Sequence, residues 1–278
     1  MSQDEIRVSR DWLALREPAD ADARDAGLAA HLARNPPASG RWVVHDLACG
    51  SGSMGRWLAP RLPGPQHWVL HDRDTDLLEA AAADLPVAAA DGAPVTAEVR
   101  RSDITRLTPG DLAGASLITA SALLDMLTGD EVMRLVAAVG GVGCPVLLAL
   151  SVTGRVELDP ADPKDAPLAA AFNDHQRRPT PRGPLLGPDA VEAAAAGFRE
   201  LGAEVIVRSS PWRLGATRAA LTAEWFGGWV RAACEQRPEL AADAEGYARR
   251  RRAMADAGEL TAIVDHADLL VLPAEAAS

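Results

Sequence analysis

The residues best placed to do chemistry are acids and small polar residues that each follow a short apolar run. Asp46 opens Asp46-Leu47-Ala48-Cys49-Gly50-Ser51-Gly52, in which Ala48, Gly50 and Gly52 are spaced two apart behind an acid. Asp72 follows His67-Trp68-Val69-Leu70-His71, twenty residues beyond Gly52. Asp103 follows the alternating run 93–101, and Ser121 and Asp125 follow Ala115-Ser116-Leu117-Ile118-Thr119-Ala120. Glycine lets a backbone turn sharply and approach a ligand closely, because no side chain stands between them. An acid about twenty residues past such a turn can accept both hydroxyls of a ribose. The chemistry this set suggests is therefore binding of a nucleoside-bearing ligand. The spacing is D-x-A-x-G-x-G rather than the dinucleotide pattern G-x-G-x-x-G, and no G-x-x-x-x-G-K-[ST] phosphate loop is present.

These residues need strands to hold them. Residues 42–47, 67–71, 93–101, 115–120 and 145–150 read as strands, and 53–62, 76–84 and 131–139 as helices. Alternation of strand and helix over about 110 residues predicts a parallel, doubly wound sheet. In such sheets ligands sit outside the carboxyl ends of the strands. Asp46, Asp72, Asp103 and Ser121 all fall at such ends, and that shared placement says more than any one motif. Further strands are expected at 204–208 and 261–272.

Residues 42–57 resemble the first motif of the class I S-adenosylmethionine-dependent methyltransferases, with Ala48 at the first glycine position. The resemblance covers about 42–150 by motif and 200–272 by strand pattern. It implies one α/β domain over 1–278, with a doubly wound seven-stranded mostly parallel sheet, an antiparallel last strand and helices on both faces. The cofactor it implies is S-adenosyl-L-methionine, released as S-adenosyl-L-homocysteine. Asp46, Ala48, Gly50, Gly52 and Ser121 would then line the cofactor, Asp72 would bind its ribose, Asp103 its adenine amino group, and Ile104 would flank the ring. An N-terminal arginine would pair with the methionyl carboxylate; Arg16 and Arg24 are the candidates, and the sequence does not choose between them. No N-P-P-Y or D-P-P-Y is present, so DNA adenine and protein glutamine acceptors lose support and a small-molecule acceptor of methyl at O, N or C is expected.

Three segments are left over for the acceptor. Residues 1–36 read as an Ala-rich helical pair, broken at Arg16-Glu17-Pro18, packed on a sheet edge; the resemblance implies instead a lid that carries Trp12 and Arg16 towards the site. Residues 152–189 interrupt the alternation and are rich in proline and aspartate, and a long insertion after a central strand is usually functional or disordered. Here His175 is the first candidate base, with Asp125 second, and Asn173 and Gln176 are candidate acceptor contacts. Residues 212–258 read as helical and gather Trp212, Trp225, Phe226 and Trp229; Trp225 is taken as a pocket wall. The run Arg249-Arg250-Arg251-Arg252 reads as a solvated helix face or an anion-binding patch.

The remaining composition narrows the class. A net charge of −11 disfavours a nucleic-acid substrate, whose phosphates need a basic surface. Three widely separated cysteines give no disulfide framework and no metal knuckle. No apolar stretch approaches a membrane span, and no signal peptide is visible, so a cytoplasmic location is expected. The fold also serves non-methylating cofactor chemistry and binding proteins, which stay open as alternatives at this stage. Oligomeric state is not legible.

Overall fold

The computed structural model describes residues 8–274. Its strands are β1 (Trp42–Leu47), β2 (Gln66–Asp72), β3 (Val95–Arg101), β4 (Leu117–Ser121), β5 (Val146–Asp159), a two-residue hairpin of β6 (Pro179–Thr180) and β7 (Gly183–Pro184), then β8 (Glu204–Ser209), β9 (Trp212–Leu214) and β10 (Thr261–Leu272). The main sheet runs β3-β2-β1-β4-β5-β10-β8, with β9 pairing β10. Strands β1 to β5 are mutually parallel, and β10 is antiparallel to β5, β8 and β9. This is the expected mostly parallel sheet with an antiparallel last strand. The central strands are buried on both faces, which is why they read as continuous apolar runs.

Helices cover both faces: α1 (Arg10–Ala23), α2 (Ala26–Arg34), α3 (Ser53–Leu58), α4 (Thr75–Ala83), α5 (Gly129–Gly140), α6 (Asp165–Gln176), α7 (Ala190–Glu200), α8 (Ala219–Gln236) and α9 (Ala241–Asp256). One face of the sheet packs Trp42, Trp57, Trp68 and Leu78 with α2, α3 and α4. The other packs Ile118, Val132, Leu135 and Phe198 with α5 and α7. A third cluster, of Trp212, Trp225, Phe226, Trp229 and Tyr247, joins α6, α8 and α9 to the far ends of β5 and β10. Each fully buried large side chain contributes roughly 1.5–3 kcal/mol.

Several local expectations are corrected. Helix α1 runs unbroken through Pro18, and the break comes at Arg24 instead. Proline removes one helical hydrogen bond, but the turns around it are fastened by the Glu17–Arg56 ion pair at 2.6 Å and by Trp57 Nε1 donating to the Ala21 carbonyl at 3.1 Å. Strand β5 does not stop at 150 but continues to Asp159, so the first part of the expected insertion belongs to the sheet. Helix α4 is capped by Asp74 and α5 by Thr128 in a capping box with Glu131, which leaves Asp72 and Asp125 outside the caps. The arginine run is divided: Arg251 is buried and pairs with Asp165 at 3.0 Å, Arg250 pairs with Asp162 at 2.8 Å, and Arg249 pairs with Glu245 at 3.5 Å. Among the described residues no helix is long and apolar enough to cross a membrane.

Candidate functional site

Strain gathers at one edge of the sheet. Among the described residues three non-glycine residues have positive φ: Ala48 (50°), Ala122 (52°) and Leu150 (55°). They stand at or beside the carboxyl ends of β1, β4 and the shared part of β5. Left-handed backbone costs a residue with a Cβ about 1–2 kcal/mol and persists where surrounding structure enforces it, often at functional sites. Ala48 thus takes up the conformation that its glycine-like place in the motif demands, at that cost. Gly52 shows why glycine is required there: φ is +87°, and a Cβ would lie 2.9 Å from Cα and Cβ of Ala81 in α4. The turn is pinned by Asp72, whose Oδ2 accepts the Gly50 amide at 2.9 Å while Oδ1 accepts the Asp74 amide at 3.0 Å. Leu13 of α1 lies over it, 3.5 Å from where a Cβ on Gly50 would stand.

Beneath the turn two opposite charges are buried. Asp46 is 1% exposed, and its Oδ1 accepts from Thr119 Oγ1 at 2.7 Å. Its Oδ2 is buried with no hydrogen-bond partner, and burial pushes the carboxyl up to about 7. Arg24 is 3% exposed, just past the C-terminus of α1. Its Nη2 donates to Ser53 Oγ at 2.8 Å and Ser121 Oγ at 3.1 Å, and its Cζ lies 5.7 Å from the Trp57 ring centroid. Its Nε is buried without a partner, and burial lowers its pKa. Each group lies in the other's field. An unpaired buried polar atom costs about 1–3 kcal/mol, more when charged, so this edge offers an acceptor at Asp46 and a donor at Arg24 to any group that could donate to the one and accept from the other. The ammonium and carboxylate of an amino acid do both.

The other residues singled out by sequence divide into three places. Asp103, exposed after β3, accepts from Thr105 N at 3.1 Å and Thr105 Oγ1 at 2.7 Å; partial burial raises its pKa, but these bonds together with the Arg106 and Arg73 charges lower it overall. Ile104 follows in a 3-10 turn, packed on the second core. Trp12, Arg16 and Asp125 form the second place. Arg16 pairs with Asp20 at 3.0 Å and lies 4.9 Å from the Trp212 ring centroid, and Trp12 meets Trp212 edge-on at 6.5 Å. Asp125, half-buried in a 3-10 turn after β4, has its pKa raised by burial and lies in the field of Arg16 and then Arg178. The third place is α6. His175 pairs with Glu235 of α8 at 3.4 Å, and burial lowers its pKa. Asn173 Nδ2 donates to the Gly154 carbonyl at 2.8 Å, and Asn173 Oδ1 and Gln176 Oε1 are buried without partners. Trp225 is 9% exposed and stacks on Trp229 at 6.0 Å inside the third core.

Sequence reasoning took Trp212 only as one of an aromatic cluster, and put no site role on Thr119, Ser53, Asp20 or His266. The signal for the last was Asp265-His266-Ala267-Asp268 inside an otherwise apolar strand. Buried Asp268 accepts from Asp25 N at 2.8 Å, Leu150 N at 2.8 Å and Ser210 Oγ at 2.7 Å, and so ties α2, β5 and the segment between β8 and β9 to β10.

Among solved structures, the cyclopropane synthase MmaA2 from Mycobacterium tuberculosis is similar at 12% identity, with 95% of this chain and 94% of that chain covered and a TM-score of 0.51. Magnesium protoporphyrin IX methyltransferase from Synechocystis PCC 6803, with bound S-adenosylhomocysteine, is 14% identical over 75% of this chain and 83% of that chain at a TM-score of 0.45. A methyltransferase from Geobacter sulfurreducens in complex with S-adenosylhomocysteine is 14% identical over 97% and 100% of the two chains at a TM-score of 0.43. No family model matches the sequence, and no curated protein matches it. The sheet order and its antiparallel penultimate position for β10 are those of the class I methyltransferase fold, and this chain has that fold.

Proposed function

We propose that the protein is an S-adenosylmethionine-dependent methyltransferase acting on a small molecule. The observation that carries this reading is the pair of buried, unpartnered groups Asp46 Oδ2 and Arg24 Nε beside the glycine turn. They fit the methionyl end of the cofactor. Asp46 takes the ammonium, and Arg24 rather than Arg16 takes the carboxylate, since Arg16 is already paired with Asp20. Asp72 keeps carboxylate lone pairs for the ribose hydroxyls while it braces Gly50. Asp103 and Ile104 stand at the end of β3 for the adenine.

When bound, the cofactor supplies a methyl group on a sulfonium, which is already electrophilic. The chain's task is then positioning and exclusion of water, which can supply several kcal/mol of the barrier reduction. Leu13 of α1 covers the glycine turn, Trp12 one residue before it packs on Trp212, and Asp125 lies in the field of Arg16. Where the acceptor carries a proton, we assign its removal to Asp125 ahead of His175, which is held by Glu235 on α8. The segments around α6 and α8 then shape acceptor recognition. The net charge of −11 supports a small-molecule acceptor over nucleic acid.

Incubation with methyl-labelled S-adenosylmethionine and a protein-free metabolite extract tests the reading. Labelled low-molecular-weight product and stoichiometric S-adenosylhomocysteine are expected. Cofactor that binds yet stays intact across extracts from several sources would move the assignment to non-methylating chemistry.

A further inference from the structure

We propose that His266 positions the methyl acceptor by accepting a hydrogen bond from it, and that the acceptor is a planar aromatic molecule with an O–H or N–H donor, held against Trp12 and Trp212. The inference rests on the methyltransferase reading above for the role of the ligand, but the site itself is argued from independent residues.

Position comes first. Strand β10 pairs with β5 in broken register, with shifts between Val264 and His266 and between Ala267 and Leu269. His266 sits between the two shifts, opposite Val152, while β4 ends opposite Ala149 of the same strand. The imidazole therefore stands just past the carboxyl edge that holds Asp46, Ser121 and the strained Ala122 and Leu150. Bulges of this kind re-aim side chains and are frequent beside active sites.

The ring's chemistry is set by its one hydrogen bond among the described residues. Nδ1 lies 2.9 Å from the Val264 carbonyl, an acceptor only, so Nδ1 carries the proton and Nε2 keeps a lone pair. His266 is 4% exposed. Burial, with the nearby Arg16 charge, lowers its pKa to about 3. It is neutral throughout the physiological range and too weak a base to remove a proton. What it offers a ligand is an oriented acceptor.

The surroundings select the shape. The Trp212 ring is 5.1 Å from that of His266, and its Nε1 donates to Asp20 at 2.9 Å, which fixes the indole. Trp12 extends the aromatic wall edge-on and is half-buried. Arg16 is paired with Asp20 at 3.0 Å, and its charge still acts on both His266 and Asp125. Aromatic walls with one oriented acceptor favour a flat donor-bearing molecule over an aliphatic or anionic one.

The test compares 2-naphthol with naphthalene, which differ by one O–H, by calorimetry on protein saturated with S-adenosylhomocysteine. Wild type should bind 2-naphthol about five-fold tighter or better. His266→Asn keeps a donor near the Nδ1 position and deletes the Nε2 acceptor; its preference should fall to near one. His266→Gln places an acceptor near the Nε2 position and should recover part of it. Trp12→Ala should weaken both probes. Equal binding by wild type, no binding of either probe, or an undiminished preference in a folded His266→Asn would overturn the proposal. Should the variant not fold, long-range proton–nitrogen spectra of the wild type decide: 2-naphthol should move the His266 Nε2 resonance and leave Nδ1 in place, and an unmoved Nε2 would refute it. Titration of S-adenosylhomocysteine into the same samples reads the cofactor assignment separately. Its failure there would sink the methyltransferase reading, while the two probes titrated into unloaded protein would still report on His266.

Discussion

Asp46 is the group whose ionisation should govern ligand capture. Its folded pKa, pushed up to about 7, lies above the ordinary carboxylate value of 3.8. Between those values the folded state holds the extra proton, so Asp46 favours folding at the acid end of the window and loses that contribution as pH rises through about 7. A cation against the carboxylate reverses the preference and expels the proton. S-adenosylmethionine affinity should therefore rise by up to roughly tenfold per pH unit below about pH 7 and level off above it. Calorimetry in buffers of different ionisation enthalpy should show the proton released; in Asp46→Asn the affinity should be lower at pH above neutrality and flat with pH. The buried His45 and His71 work in the other direction. Their rings stack at 5.1 Å with nitrogens 3.1 Å apart, and burial lowers both from 6.5 to about 4. The unfolded chain takes up protons first, so their contribution is full above about 6.5 and is lost as pH falls towards about 4. His175 and His266 are lowered as well, so four imidazoles stand against the raised carboxyls of Asp46, Asp125 and Asp268. The melting temperature should drop on going from neutral to about pH 5, and the slope should flatten in His71→Gln. At this scale the sequence shows which side chains stand at strand ends, since an acid after an apolar run is visible in the order of residues. It does not show which of Arg16 and Arg24 is buried, because that depends on where α1 ends.

The elements carry a second set of consequences. Gly52→Ala forces a Cβ into Ala81 at 2.9 Å on a backbone with φ +87°. It should cost about 2–4 kcal/mol and lower cofactor affinity with it, because α4 must move away from the turn. Gly92→Ala has the same kind of backbone, φ +83°, but open space around it. It should cost only about 1 kcal/mol. Chemical denaturation of the two variants separates steric from conformational strain, and equal losses would contradict the packing argument. The central strands were legible because they are apolar throughout. The outer half of β5 was not, because Val152, Gly154, Val156 and Leu158 alternate with exposed Thr153, Arg155 and Glu157 and then run into Asp159-Pro160. A half-exposed strand has period two, and that weaker signal was lost beside a proline-rich stretch. Pro18 misled in the opposite way: local backbone chemistry predicts a break, but tertiary bonds on both sides of it hold the helix together.

For the molecule as a whole, sheet order is a property of pairings far apart in sequence, so alternation of strand and helix gives only the class of fold. The mostly parallel sheet with an antiparallel last strand came through the resemblance of the glycine turn, whereas the order β3-β2-β1-β4-β5-β10-β8 is known only from the strand pairings themselves. The aromatic content of 212–258 was visible, but its division was not. Trp225, Phe226 and Trp229 pack on one another in a core between α6, α8 and α9, while Trp212, a buried member of the same core, also meets Trp12 and His266. The architecture thus converges on one edge, where the strained ends of β1, β4 and β5, the unpaired charges of Asp46 and Arg24, and the aromatic wall meet. The most direct test is calorimetric titration of the purified protein with S-adenosylmethionine, repeated on Asp72→Ala. Micromolar binding to the wild type, weakened at least tenfold in the variant, is the predicted result. Absence of binding by both S-adenosylmethionine and S-adenosylhomocysteine would contradict the account and return the glycine turn to a purely structural role.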